Sequence, residues 1–271
     1  MTTFLFWNLN RKPLQAIVAN LALRYDVDVL ILTECTIAPD VLLKSLNWQA
    51  PINYHYAPGI GCKTIEIFTR FPDQFMPPVF ETDRLTARHL QLPEAVDISL
   101  VSVHFPGKLH WSDQSQAMEC VELADSIRLA EEIVGHPRTV LVGDLNMNPF
   151  EDGVVSANGL HGVMSRSIAN KKTRTVQGKE YPFFYNPMWG FFGDRTPGPS
   201  GTYYYTSSEH RAFFWNIFDQ VLLRPDLLPF FDGKALEIVQ SDGDISLVSP
   251  NGLPDTNTAS DHLPVFFGLE L

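Results

Sequence analysis

The stretch DVDVLILTE, with its apolar run from Val27 to Thr33, limits the possible folds more than any other part of the chain. It is of strand length and does not alternate, the pattern of a strand buried on both faces, and it closes on an acid, Glu34. A sheet holding such a strand needs cover on either side.

The remaining periodicities supply that cover. Thr3 to Leu9 reads as a strand, followed by a helix from Pro13 to Arg24 with Leu14, Ile17, Val18 and Leu21 at helical spacing. Alternating runs at Lys63 to Arg70, Arg84 to Leu92 and Asp97 to His104 read as further strands. Ser112 as N-cap and Gly135 as C-cap bracket a long helix whose apolar set is Ala117, Cys120, Val121, Ala124, Ile127 and Leu129. Strands at Thr139 to Val142, Ile217 to Leu223 and Leu263 to Leu269 complete the pattern. The expectation is an α/β chain, a single domain over 1–271, with sheets covered by helices and decorated loops at about 153–216.

With 20 Lys and Arg against 31 Asp and Glu the formal net charge is −11, which excludes a uniformly basic nucleic-acid glove. One stretch runs against this average. Gly153 to Lys179 has no acid but holds Arg166, Lys171, Lys172, Arg174 and Lys179; it reads either as a solvated loop or as a contact for a phosphate backbone. The aromatics that follow, Tyr181, Phe183, Phe184, Tyr185, Trp189, Phe191 and Phe192, read as local core rather than a base-stacking platform. Cys35, Cys62 and Cys120 share no metal or disulfide spacing. No signal peptide or membrane span is read, so the expected setting is reducing and cytoplasmic, with no membrane partner.

Chemistry-bearing side chains gather at strand ends: Asn8 and Asn10, Glu34, His104, Asp144 and Asn146, Asp219, then Asp261 and His262 before the last strand. Residues two apart on extended chain share a face, so Asn8 with Asn10 and Asp144 with Asn146 are expected to point into one pocket. Carboxylates with amides suit a hard divalent cation such as Mg²⁺, with Mn²⁺ as a substitute; there is no HExxH or Cys/His cluster for zinc. His104 and His262 are candidates to contact phosphate or move protons, and an aspartate such as Asp219 could fix one imidazole. The other histidines, His55, His89, His110, His136, His161 and His210, read as surface or structural.

FWNLN, LTE at 32–34, SVHFPG, VGDLNMNP, FDQVLL and SDHLP together resemble the ordered motif series of the endonuclease/exonuclease/phosphatase superfamily, which includes deoxyribonuclease I and the exonuclease III type of enzyme. The resemblance implies a four-layered α/β/β/α sandwich and a metal-dependent phosphoester hydrolase. It implies metal ligation by Glu34 with Asn8 and Asp261, water activation by Asp144 with Asn146 as its partner on the phosphate, and a His262–Asp219 pair on the developing charge. TRFP is similar to the family's SRxP segment, which makes Arg70 a candidate neighbour of the site.

Some positions depart from the family pattern. His104 stands where apurinic endonucleases carry Tyr, which argues against an abasic-site enzyme. Asn10 stands where some relatives have Asp, and FDQ replaces the commoner DY pair. The leading expectation is a nuclease on nucleic acid, most simply DNA, with Asn10, Arg70, Lys171, Lys172 and Arg174 as substrate contacts. The alternatives are a phosphatase or phosphodiesterase for a small or lipid-like phosphate, and a catalytically silent binding module on the same fold.

Overall fold

Two β-α-β units, each a pair of parallel strands joined by a helix, stand at the centres of two sheets. The computed structural model describes residues 1–48, 51–109, 111–208 and 210–271. In chain order β1 (Thr2–Asn8), α1 (Gln15–Arg24), β2 (Val29–Thr33), α2 (Pro39–Asn47), β3 (His55–Tyr56) and β4 (Ile65–Thr69) come first. Then follow β5 (Pro78–Thr82), β6 (Leu85–Leu90), β7 (Ile98–His104), α3 (Asp113–Val134) and β8 (Thr139–Asp144). The middle third holds α4 (Asp152–Val155), β9 (Gly162–Val163), α5 (Arg166–Ala169), the hairpin β10 (Thr173–Val176) and β11 (Lys179–Pro182), and β12 (Phe184–Tyr185). It continues into β13 (Tyr203–Tyr204) and β14 (Trp215–Asn216), and β15 (Asp219–Leu223), β16 (Leu236–Ile238) and β17 (Val265–Leu269) end the chain.

The first sheet runs β16-β17-β1-β2-β4-β3 and the second β5-β6-β7-β8-β15-β12-β9. β1 and β2 are parallel, as are β7 and β8, and antiparallel strands flank each pair. β2 is buried along its whole length, as its unbroken apolar run requires.

Alternation in the second sheet divides its side chains between two cores. Val140, Val142, Val221, Leu223 and Leu100 join the cluster shared with the first sheet, while Val101, Val103, Leu141 and Leu222 pack beneath α3. α1 and α2 cover the outer face of the first sheet through Ile17, Val18, Leu21, Leu42 and Leu46, which gives the expected α/β/β/α layering.

α3 begins and ends where its caps place it. Ser112 Oγ accepts from Ser115 N at 3.1 Å, and Gly135 closes the helix at φ +80°. Its buried face is Gln116, Cys120, Leu123, Ala124, Ile127 and Ala130; Leu129, read as part of that face, is 45% exposed. The middle third is more ordered than a set of loops, since short strands extend the second sheet and β10 and β11 form a hairpin.

β7 and β8 approach closely at Gly143, where a Cβ would stand 2.0 Å from Val103 O. Only glycine fits there, one residue before Asp144. The three cysteines are free, and among the described residues no helix is long and apolar enough to cross a membrane.

Candidate active site

The strand alternation that builds the inter-sheet core also delivers polar groups at its rim. Leu100, Ser102 and His104 share one face of β7, and Val140, Val142 and Asp144 one face of β8. In register, His104 pairs with Asp144 and Asp144 with Asp219, so these side chains form one row across β7, β8 and β15. On the first sheet Asn8 ends β1 opposite Thr33, and Glu34 follows β2 directly. Each parallel pair thus ends at the same place, the carboxyl ends of its strands.

The two sheets meet through Asn8. Its Nδ2 donates to Asp144 Oδ2 at 3.0 Å, while its Oδ1 accepts from Asn10 N at 2.9 Å. Asp144 repeats the second contact, its Oδ1 accepting from Asn146 N at 2.9 Å. Both are side-chain turns that lead the chain out of the sheet, with Leu9 and Leu145 buried between the paired residues. Asn10 and Asn146 have left-handed backbones, φ +47° and +50°, so the shared extended face expected of Asn8 with Asn10 and Asp144 with Asn146 does not form. Asn146 instead braces the loop, donating Nδ2 to Phe105 O at 2.8 Å.

Glu34 also sits at φ +47°, an unfavourable backbone for a residue with a side chain, costing about 1–2 kcal/mol. The turn aims its carboxylate at the site: Oε1 lies 3.5 Å from His104 Nε2 and Oε2 3.4 Å from Arg11 Nε. His104 holds the Glu34 carboxyl below its usual range despite burial. The same Nε2 is 3.9 Å from Asp144 Oδ2, and His104 Nδ1 is buried without a hydrogen bond.

His262 Nδ1 donates to Asp219 Oδ2 at 2.8 Å, and Asp219 is fully buried. Against the cost of burial, the charges of Asp219, Asp144 and Asp261 push the imidazole up to about 10, so it is a cation at neutral pH. Burial, with Asp219 adding to it, raises Asp144, while His262 pulls it back. The segment before β17 is pinned to β1: Trp7 Nε1 donates to His262 O at 2.8 Å, and Ser260 Oγ donates to Asn8 O at 2.7 Å. Asp261 is half-buried beside Ser260, whose Oγ is 3.3 Å from its Oδ1.

The donor set fits a divalent cation. Glu34, Asp144 and Asp219 bring carboxylate oxygens and Asn8 an amide oxygen to this rim, and Asp219 Oδ1 is a buried oxygen with no hydrogen bond. Cys35, next to Glu34, offers no thiolate, since burial pushes its thiol up to about 11. Carboxylate and amide oxygens are the ligands of a hard ion.

The structure does not bring Arg70, Lys171, Lys172 or Arg174 to this place. Thr69 pairs with Val29, the end of β2 away from Glu34, and there the buried Arg70 side chain, over the Tyr54 ring, pairs with the exposed carboxylate of Asp26. β12 and β15 carry the basic hairpin to the opposite end of the second sheet, since Tyr185 pairs with Leu223, not with the Asp219 end. Lys172 Nζ is bound there to Asp226 at 2.8 Å, and Arg166 donates to Leu228 O and Phe231 O. A charge run read along the chain carries no information about which end of a sheet it will reach.

Two neighbours of the site escaped the sequence reading. Arg11 is an exposed cation beside Glu34. Tyr203 packs its ring 4.7 Å from that of His262 and pairs with it through a backbone bridge. The motif residues identify a strand end, whereas these two arrive from a turn and a distant hairpin. Further along the same rim, Tyr205, Phe213 and Phe214 are about half exposed, and Phe213 contacts Phe150, which also meets Trp189 and Phe192. Phe183 and Phe184 are core, as read. Of the remaining histidines, His55 and His210 are exposed, His161 is buried, His89 and His136 flank Asp97, and His110 lies outside the described residues.

Comparison with known proteins agrees with this architecture. The human nocturnin catalytic domain, solved with bound sulfate, is similar over 99% of this chain and 93% of its own, at 13% identity and a TM-score of 0.58. A humanized zebrafish (D. rerio) TDP2 matches over 100% and 99% at 14% identity and a TM-score of 0.55. The endonuclease domain of TRAS1, a telomere-specific non-LTR retrotransposon, matches over 100% and 99% at 16% identity and a TM-score of 0.52. No curated protein matches the sequence. The model of the Endonuclease/Exonuclease/phosphatase family matches residues 5–262. The chain belongs to that family of phosphoester hydrolases, whose members depend on divalent metal.

Proposed function

We propose that the chain is a magnesium-dependent phosphodiesterase acting on nucleic acid, most simply a DNA nuclease, and that Asp144 and His262 carry the chemistry. The observation behind this reading is the convergence of Asn8, Glu34, His104, Asp144, Asp219 and His262 at the carboxyl ends of both central strand pairs. Glu34, Asn8 and Asp261 would hold Mg²⁺ or Mn²⁺, which supplies positive charge against the phosphate's non-bridging oxygens.

The chain's own groups divide the remaining work. Each Asp144 oxygen already accepts one N–H, from Asn8 or Asn146, and keeps lone-pair capacity to orient a water and take its proton. Its raised pKa makes it a better base than an exposed aspartate. Asp219 holds the His262 Nδ1–H, which leaves Nε2–H of the imidazolium to donate to a phosphate oxygen as charge develops. His104, between Glu34 and Asp144, is in reach to donate to a phosphate oxygen or to the leaving oxygen. The exposed rim aromatics suit stacking by unpaired bases, and an endonuclease domain is among the similar structures.

The test is hydrolysis of single-stranded DNA, plasmid and a generic aryl diester with magnesium, compared with Asp144→Asn, His262→Ala and chelator-treated enzyme. Activity should fall by at least about 100-fold in each case. Near-normal turnover by either variant, or full activity after chelation, overturns the reading.

A second reading, hydrolysis of a small or lipid-like phosphodiester, is favoured by one observation: the basic hairpin lies at the far end of the sheet, so few cations border the site. Preference for the aryl diester over both DNA substrates would select it.

A further inference from the structure

We propose that His89, Asp97 and His136 form a second cation site, for zinc or a zinc-like divalent ion, at the end of the second sheet opposite Asp144. His89 lies on β6, Asp97 directly precedes β7, and His136 follows α3. β7 runs from Ile98 to His104, so the two sites stand roughly 20 Å apart at about 3.3 Å per residue.

Both ring nitrogens converge on one carboxylate oxygen. His89 Nε2 is 3.0 Å and His136 Nε2 3.2 Å from Asp97 Oδ2, and the rings cross at 62° with centroids 5.4 Å apart. Metal bonds of about 2.0–2.1 Å at tetrahedral angles put neighbouring ligand atoms about 3.3 Å apart, close to this spacing. Arg138 occupies the other oxygen, Oδ1, and donates Nε to Asp97 O at 2.8 Å, which fixes the carboxylate with Oδ2 turned to the rings.

The second observation is His136 itself. Its residue is 9% exposed, and its Nε2 is buried with no hydrogen bond despite facing Asp97. Burial and Arg138 hold the ring below its ordinary range. Two imidazoles and a carboxylate favour zinc over magnesium, and the exposed edges of His89 and Asp97 leave room for water as fourth ligand.

Loading the ion has a specific local consequence. His136 Nδ1 accepts the Arg138 N–H at 3.2 Å, so the proton of the neutral ring sits on Nε2. Metal on Nε2 moves that proton to Nδ1 and breaks this long bond, in the turn that follows the left-handed Gly135. The ion would tie β6, the entry to β7 and the end of α3 together.

The experiment is titration of zinc into the full chain in excess magnesium, by calorimetry, with cobalt absorption as a probe of geometry. The wild type should bind a zinc equivalent that His89→Gln and His136→Ala bind at least about tenfold more weakly. Zinc should raise the melting temperature of the wild type but not of His89→Gln, and should perturb the Arg138 amide in NMR spectra. His89→Gln, partly exposed and far from Asp144, should keep its magnesium-dependent hydrolysis, so the outcome is independent of the activity proposed above. Equal zinc affinity in wild type and both variants, or an unchanged Arg138 amide, overturns the proposal and leaves two histidines that merely flank Asp97.

Discussion

Asn8 Nδ2 donates to Asp144 Oδ2 across 3.0 Å, and in doing so joins the rims of two different sheets. The amide has two effects on its partner. It fixes one carboxylate oxygen, and a hydrogen bond donated to a carboxylate favours its charged form, against the burial that raises Asp144. Asn8→Ala removes that donor while leaving the rest of β1 in place. Asp144 should then hold its proton to higher pH, moving the acid limb of the kcat/KM profile upward, with a loss of about 10- to 100-fold at neutral pH. An unmoved acid limb would show that Asp144 is not the titrating base.

Stability should depend on pH through His262. The group titrates near 6.5 when unfolded and at about 10 when folded. The stability it contributes is therefore fully present below about pH 6.5, declines as pH rises, and is lost as pH passes about 10. Urea unfolding from pH 6 to 10 should show a steeper decline for wild type than for His262→Gln. Because several tyrosines also titrate late, the difference between the two proteins is the quantity to follow. Parallel curves would count against the His262–Asp219 ion pair.

Gly143→Ala tests the close approach of β7 and β8. A methyl group 2.0 Å from Val103 O must displace backbone, and the displaced residue adjoins Asp144. A loss of at least about 2 kcal/mol in urea unfolding is expected, together with a loss of activity exceeding that expected from the unfolded fraction. Wild-type stability in this variant would mean that the two strands lie further apart than described.

The basic hairpin supplies a negative control. Lys171→Ala with Arg174→Ala should leave kcat/KM within about twofold and should not change the slope of substrate affinity against salt, since each lost phosphate contact would lower that slope by close to one. Arg11→Ala, beside Glu34, should weaken binding instead. A reversed result would place substrate along the hairpin.

These contrasts mark what a single sequence reveals. β2 and Glu34 were legible because an unbroken apolar run ends on an acid, and Asp144 because it closes the apolar strand that starts at Thr139. The α3 caps were legible from Ser112 and Gly135, yet the buried stripe was misplaced at Leu129, since apolar residues on an exposed helix face look the same in sequence as core ones. Arg70 and the hairpin lysines failed for another reason. Their ends of the sheet depend on strand direction, which is set by long-range pairings such as Thr69 with Val29 and Tyr185 with Leu223. The turns at Asn10 and Asn146 were hidden because extended geometry was assumed two residues past the strand ends at Asn8 and Asp144.

Glu34 turns a conformational cost into a record of use. Its left-handed backbone would be relieved by glycine, so Glu34→Gly should unfold later by about 1 kcal/mol while losing the carboxylate that faces His104. A library enriched only for heat resistance should therefore drift to glycine at this position, and one enriched for turnover should not. The residue that survives such a contest reports which demand the chain is answering.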